Sequence, residues 1–213
     1  MPFMNKPLSP VAAQRATAAS PNRIRPYIRL LHLLLATGIV VSLVTSLFSE
    51  RPEAGEMRSA VEAIGFEVHE LAGMAVLAVL AVHWLAFAVG NAYKGIGYFF
   101  PWFSPTRLRG LGAELRQFAR LELGEPGAQD AVAGAVQGFG LVIGSALAAT
   151  GAMLYFGIAP DGSMSTAVHA VKELHETLGP AMWAYLVIHA GAAAVHLLVG
   201  HRSVLDVFWL FGR

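Results

Sequence analysis

Four stretches of the chain, residues 30–48, 71–90, 131–160 and 177–199, contain no Asp, Glu, Lys or Arg. A helix crosses the roughly 30 Å hydrocarbon core of a bilayer with about 20 apolar residues, so each stretch is long enough. Inside that core the backbone N–H and C=O groups must bond within their own segment, which selects the α-helix for runs of this length. Composition agrees: 55% of the 213 residues are hydrophobic and only 14% charged, against about 25% charged in a soluble domain. The sequence therefore predicts an all-α integral membrane four-helix bundle. No small-residue cleavage site follows the first run, which reads as a retained helix rather than a signal peptide.

Lys and Arg are retained on the cytoplasmic side of a membrane protein, and twelve of the fifteen lie in the N-terminal segment, the second loop or the C-terminal tail. The first and third loops hold only Arg51, Arg58 and Lys172, among Glu50, Glu53, Glu56, Glu62, Glu67, Asp161 and Glu173. Both termini are expected in the cytoplasm, with the chain multi-pass in a bacterial inner membrane. The net charge of +1 sums a basic inner face and an acidic outer one, so no nucleic-acid partner is expected, only lipid.

Residues 1–22 read as a flexible tail, 23–206 as the transmembrane domain and 207–213 as a short C-terminal tail. The second loop contains "SPTRLRGLGAELRQFARLEL", in which Ser104 is placed to cap a helix with Pro105 at its first position. Leu108, Leu111, Leu115 and Phe118 recur at helical spacing among arginines, the pattern of an amphipathic surface helix between helices 2 and 3.

The chain has no cysteine. Disulfides, thiolate-bound iron–sulfur clusters and covalent c-type haem are excluded. Histidine is the informative residue instead. "HELAG" begins at His69 and "HETLG" at His175, and each histidine is followed fourteen residues later by another, His83 and His189. Fourteen residues are nearly four helical turns, so the two imidazoles of each helix lie within about 40° of each other and about 21 Å apart along the axis.

Two such helices side by side bring imidazoles together in pairs at two depths. Haem iron takes two axial ligands on opposite faces of a flat macrocycle, and facing helices of a bundle supply that geometry. Gly73 and Gly179, each four residues after a histidine, leave room for a porphyrin. Histidine as interhelical glue or as a proton relay accounts for a single residue but not for the repeated spacing. A zinc pathway would add carboxylates at bilayer depth, and the four spans hold none. The histidines point to bis-histidine haem.

"RLLH" on the first helix, "HELAG" on the second, "HETLG…IHAGAAAVH" on the fourth and "FAVGNAY" after the second resemble the bacterial cytochrome b561 family. The related b-type cytochrome subunits of membrane-bound hydrogenases and formate dehydrogenases share the pattern. The resemblance implies a bundle with two non-covalent haems b, His69 pairing with His175 for the outer haem and His32 with His189 for the inner. His83 stands where the family more usually carries arginine, and the repeat alone would pair it with His189, so His83 is the alternative to His32. The family also keeps a histidine at His196; His169 and His201 fall outside the spans.

Such a protein is an electron-transfer subunit. The expected role is to carry electrons across the bilayer between a periplasmic donor, either a partner dehydrogenase or hydrogenase or a soluble carrier, and the quinone pool. The alternative is a stand-alone superoxide:quinone oxidoreductase. The acidic outer loops, with three basic residues, offer little to steer an anion.

Overall fold

The computed structural model describes residues 26–48, 59–89, 96–120, 122, 131–159 and 161–208. The expected tail over residues 1–22 lies outside them. Four long helices, α1 (Pro26–Ser46), α2 (Ala60–Ala88), α5 (Ala131–Gly157) and α6 (Thr166–Leu198), are each long and apolar enough to cross a membrane. Between α2 and α5 lie a single turn α3 (Ile96–Phe99), a 3-10 turn Pro101–Phe103 and α4 (Pro105–Ala119). A second 3-10 turn, Arg202–Val207, follows α6.

Two of the long helices start well before their apolar runs, for local reasons. At α2 the Ser59 hydroxyl accepts from Glu62 N (3.2 Å) while the Glu62 carboxylate accepts from Ser59 N (2.8 Å). This reciprocal box satisfies two N–H groups that the first turn leaves without a helical partner. At α6 the Ser165 hydroxyl accepts from Val168 N (3.3 Å), and Lys172 pairs with Glu176 one turn on. The loop before α6 turns on Gly162, whose φ of +81° favours glycine. Ser163 hydrogen-bonds the exposed Asp161 carboxyl there and holds it below the usual carboxylate range.

Ser104 occupies the N-cap position of α4 with Pro105 behind it, but its hydroxyl makes no capping bond. Its backbone N–H instead bonds Pro101 O (2.9 Å) and closes the preceding 3-10 turn. α4 is fastened at its other end: the Glu114 carboxylate accepts from Ala131 N and Val132 N, both at 2.8 Å, at the start of α5. A carboxylate is favourable there because the first N–H groups of a helix are unpaired and carry partial positive charge.

α1 packs on α2, α2 on α5, and α5 on α6, whereas α6 makes no extensive backbone contact with α1 or α2. α5 is the central helix, and its glycines receive the neighbours. A methyl on Gly134 or Gly138 would overlap the Tyr98 and Phe99 carbonyls, and one on Gly144 would touch Met182 (3.6 Å). The Trp84 indole N–H donates to Ser145 Oγ (2.9 Å) and ties α2 to α5, a bond worth about 0.6 kcal/mol between membrane helices. The core is thin: Leu43, Ile143 and Met182 form one buried cluster, Val76, Leu80 and Ala148 another. Large apolar side chains such as Leu71, Leu85, Val187 and Ile188 face outward, as a lipid-exposed surface requires.

Candidate functional site

On α2, His69 and His83 lie seven residues either side of the buried Val76; on α6, His175 and His189 lie seven residues either side of the buried Met182. Each helix therefore carries an imidazole above and below the core clusters. At one level His69 stands across from His175, with ring centroids 6.2 Å apart and planes at 87°. At the other, His32 of α1 stands across from His189, with centroids 6.3 Å apart and planes at 48°.

Those distances have a chemical meaning. Two imidazoles bound to one metal from opposite sides, each with a metal–nitrogen bond of about 2.0 Å, hold their ring centres about 6.3 Å apart. The angle between the planes is a free rotation about that axis. The rings reach across an interval between α6 and the α1–α2 pair, whose backbones stay apart. A methyl on Gly73 or Gly179 would meet nothing within 4 Å, so both glycines border open space beside the His69–His175 level. Among the described residues no three or more of His, Asp and Glu gather as a bare metal ion would need. The imidazoles meet in twos, with space alongside, which suits a flat macrocycle.

At the His69–His175 level the ring nitrogens are fixed by hydrogen bonds. His69 Nδ1 lies 2.8 Å from Ser42 O; a carbonyl only accepts, so Nδ1 carries the proton. The Thr150 hydroxyl donates to Ala146 O (2.7 Å) and thereby accepts from His175 Nδ1–H at 2.8 Å. Both histidines are left with an Nε2 lone pair, the form that ligates a metal, and the partner on Nδ1 raises its basicity. Gly151 lies against the same ring, where a methyl would stand 3.2 Å from His175 Cε1.

The His32–His189 level is built from rings. Tyr185, one turn before His189 on α6, stacks on its imidazole (5.4 Å, 12°), and Phe208 sets its ring against His32 (5.5 Å, 78°). Gly140 provides the space, since a methyl there would overlap the Tyr185 hydroxyl. His32 Nδ1 is buried with no hydrogen-bond partner among the described residues. His83 is buried at the corresponding depth of α2.

Sequence reasoning missed Ser42, Thr150, Tyr185 and Phe208. The available signal was a hydroxyl in the histidine-free α5, where Thr150 and Ser145 are the two aliphatic hydroxyl residues and nothing in the sequence tells them apart. Phe208 falls in the expected C-terminal tail, and the Ser42 contribution is a backbone carbonyl that no side-chain pattern marks. His196 and His201, which the haem geometry does not use, lie together beyond the His189 level with their Nδ1 atoms 3.0 Å apart.

Neither the curated proteins nor the solved structures contain a match to this chain. A family model described as prokaryotic cytochrome b561 matches residues 23–209, which include both facing histidine pairs, His83, His196 and all four long helices. The chain belongs to the prokaryotic cytochrome b561 family and is a multi-pass membrane b-type cytochrome of electron transfer.

Proposed function

We propose that the chain holds two haems b, one between His69 and His175 and one between His32 and His189, and moves electrons across the bilayer. The donor is a periplasmic redox partner protein or carrier and the acceptor is the quinone pool. The observation that carries this reading is the facing imidazole pair, with centroids 6.2 and 6.3 Å apart, repeated at two depths of one bundle.

Bound haem supplies a one-electron couple; the chain supplies its ligands, spacing and surroundings. Ser42 and Thr150 hold the His69 and His175 rings by Nδ1 and leave each Nε2 free to ligate. Val76, Leu43, Ile143 and Met182 form the apolar layer between the levels and exclude water from it. The space bordered by Gly73 and Gly179 would leave room for a macrocycle held by His69 and His175. His83 acts beside His32 rather than as a ligand, a reading supported by the ring-to-ring placement of His32 and His189.

Charge supports the orientation. The loop that contains α4 carries Lys94, Arg107, Arg109, Arg116 and Arg120, so it faces the cytoplasm, with α4 along the inner surface of the bacterial inner membrane against anionic lipid. The His32–His189 level is then the inner one and the His69–His175 level the outer.

The test is reduction of the haem-loaded protein in lipid nanodiscs followed by addition of a quinone. Loss of the reduced α-band on quinone addition is expected, with slower reoxidation in His189→Ala. A protein with no b-type α-band, or a reduced band that quinones leave untouched, contradicts the proposal.

A further inference from the structure

We propose that His196 and His201 form a two-imidazole proton-binding site on the cytoplasmic end of α6, linked to the oxidation state of the inner haem. The inference rests on the assignment of His32 and His189 to that haem.

The pair is built by the way α6 ends. Gly200 takes the left-handed conformation (φ +95°), Gly200 N bonds Leu197 O (3.0 Å) and His201 N bonds His196 O (2.9 Å). This double closure is the Schellman ending of a helix, which folds the second residue beyond the cap back over the last turn. In most such endings the residues brought together are apolar; here they are His196 and His201, with Nδ1 atoms 3.0 Å apart and ring centroids 5.3 Å apart.

A hydrogen bond between two Nδ1 atoms requires one protonated and one bare nitrogen. In the neutral pair, the ring that donates Nδ1–H therefore has an unprotonated Nε2, and the other ring has Nε2–H. A further proton adds to that free Nε2 without breaking the Nδ1–Nδ1 bond, which becomes charge-assisted and stronger. Both histidines are half-buried, so cytoplasmic water reaches them.

Two features connect this site to the inner level. His196 lies seven residues beyond His189 on the same face of α6, two turns or about 10.5 Å along the axis. The 3-10 turn Arg202–Val207 starts beside His201 and delivers Phe208 onto His32. When a reductant gives the inner haem one electron, the site takes one proton from cytoplasmic water and nothing leaves; the added positive charge favours the less positive, reduced centre. The linkage is reciprocal, so a protonated site raises the inner potential.

The elements packed near the pair bring Arg202 and Asp206 on the 3-10 turn and His189 on α6 itself. Arg116 and Arg120 flank Phe118 of α4, whose ring meets His196, and α1, which contacts the 3-10 turn, brings Arg29 and His32; His83 lies on α2. The arginines keep their charge throughout. Asp206→Asn controls for the nearby carboxylate.

The experiment is a redox titration of the full, haem-loaded chain in nanodiscs at a series of pH values, following each haem by its α-band. The inner midpoint is expected to fall as pH rises while the outer midpoint stays level. His201→Gln and His196→Gln should flatten the inner dependence, and Asp206→Asn should keep it. A native inner midpoint that does not move with pH overturns the proposal without recourse to any variant. Full dependence in both glutamine variants also overturns it. Haem content of His189→Ala reads the underlying assignment separately: retention of the inner haem there defeats the ligand assignment whatever the slope.

Discussion

The two histidine levels of this bundle are built by different means. At the outer level both rings are held by hydrogen bonds from helices that contribute no ligand of their own to that pair: Ser42 O on α1 for His69 and Thr150 Oγ1 on α5 for His175. At the inner level the rings are held by other rings, Tyr185 on His189 and Phe208 on His32. A hydrogen bond on Nδ1 makes the imidazole a better donor and favours the oxidised metal, whereas apolar packing leaves that term out. The outer haem is therefore expected to have the lower potential. In the proposed function, electrons that enter from the periplasmic side are then expected to run downhill to the inner haem and on to quinone.

The largest effects come from the ligands. His69→Ala and His175→Ala should each remove the outer haem alone and halve the haem per chain, measured as pyridine haemochrome; loss of both haems would show that the levels do not stand independently. At the inner level His32→Ala should remove the haem while His83→Ala keeps it with bis-histidine absorbance. The reverse result would make the fourteen-residue repeat the better guide to ligation.

Smaller changes sharpen the contrast in construction. Gly140→Ala pushes a methyl into Tyr185 and disturbs the stack on His189. It should cost about 1–3 kcal/mol in stability and alter the inner α-band only, as seen in thermal unfolding and low-temperature spectra. Thr150→Val keeps the shape but removes the acceptor for His175 Nδ1–H. It should leave both haems bound and raise the outer midpoint by about 20–40 mV, the equivalent of part of one hydrogen bond. An unchanged outer midpoint, or a shift in the inner one, would mean that Thr150 does not tune the outer level.

Charge-free runs and histidine spacing made most of this architecture legible, because a membrane span must be apolar throughout and a ligand must recur at a helical period. The four spans, the all-helical class and the juxtaposition of His69 with His175 follow from those two constraints; the juxtaposition of His32 with His189 was implied by the family resemblance, since the spacing alone would set His83 against His189. True helix lengths were less visible. The charge-free runs mark the hydrocarbon core, while α2 and α6 continue beyond it to Ser59 and Ser165, where hydroxyl caps end them. The supports of the rings were least visible: a backbone carbonyl at Ser42 has no side-chain signature, and Tyr185 and Phe208 look like any membrane aromatic until Gly140 and the 3-10 turn place them. The glycines of α5 divide between loop carbonyls at Gly134 and Gly138 and side chains of α6 at Gly140, Gly144 and Gly151, a division that composition does not mark.

The central claim, two separate bis-histidine centres in one bundle, is tested most directly by haem stoichiometry of the fully loaded native chain. Pyridine haemochrome analysis against quantitative amino-acid analysis should return two non-covalent haems b per polypeptide. One haem per chain, or none, would contradict the account.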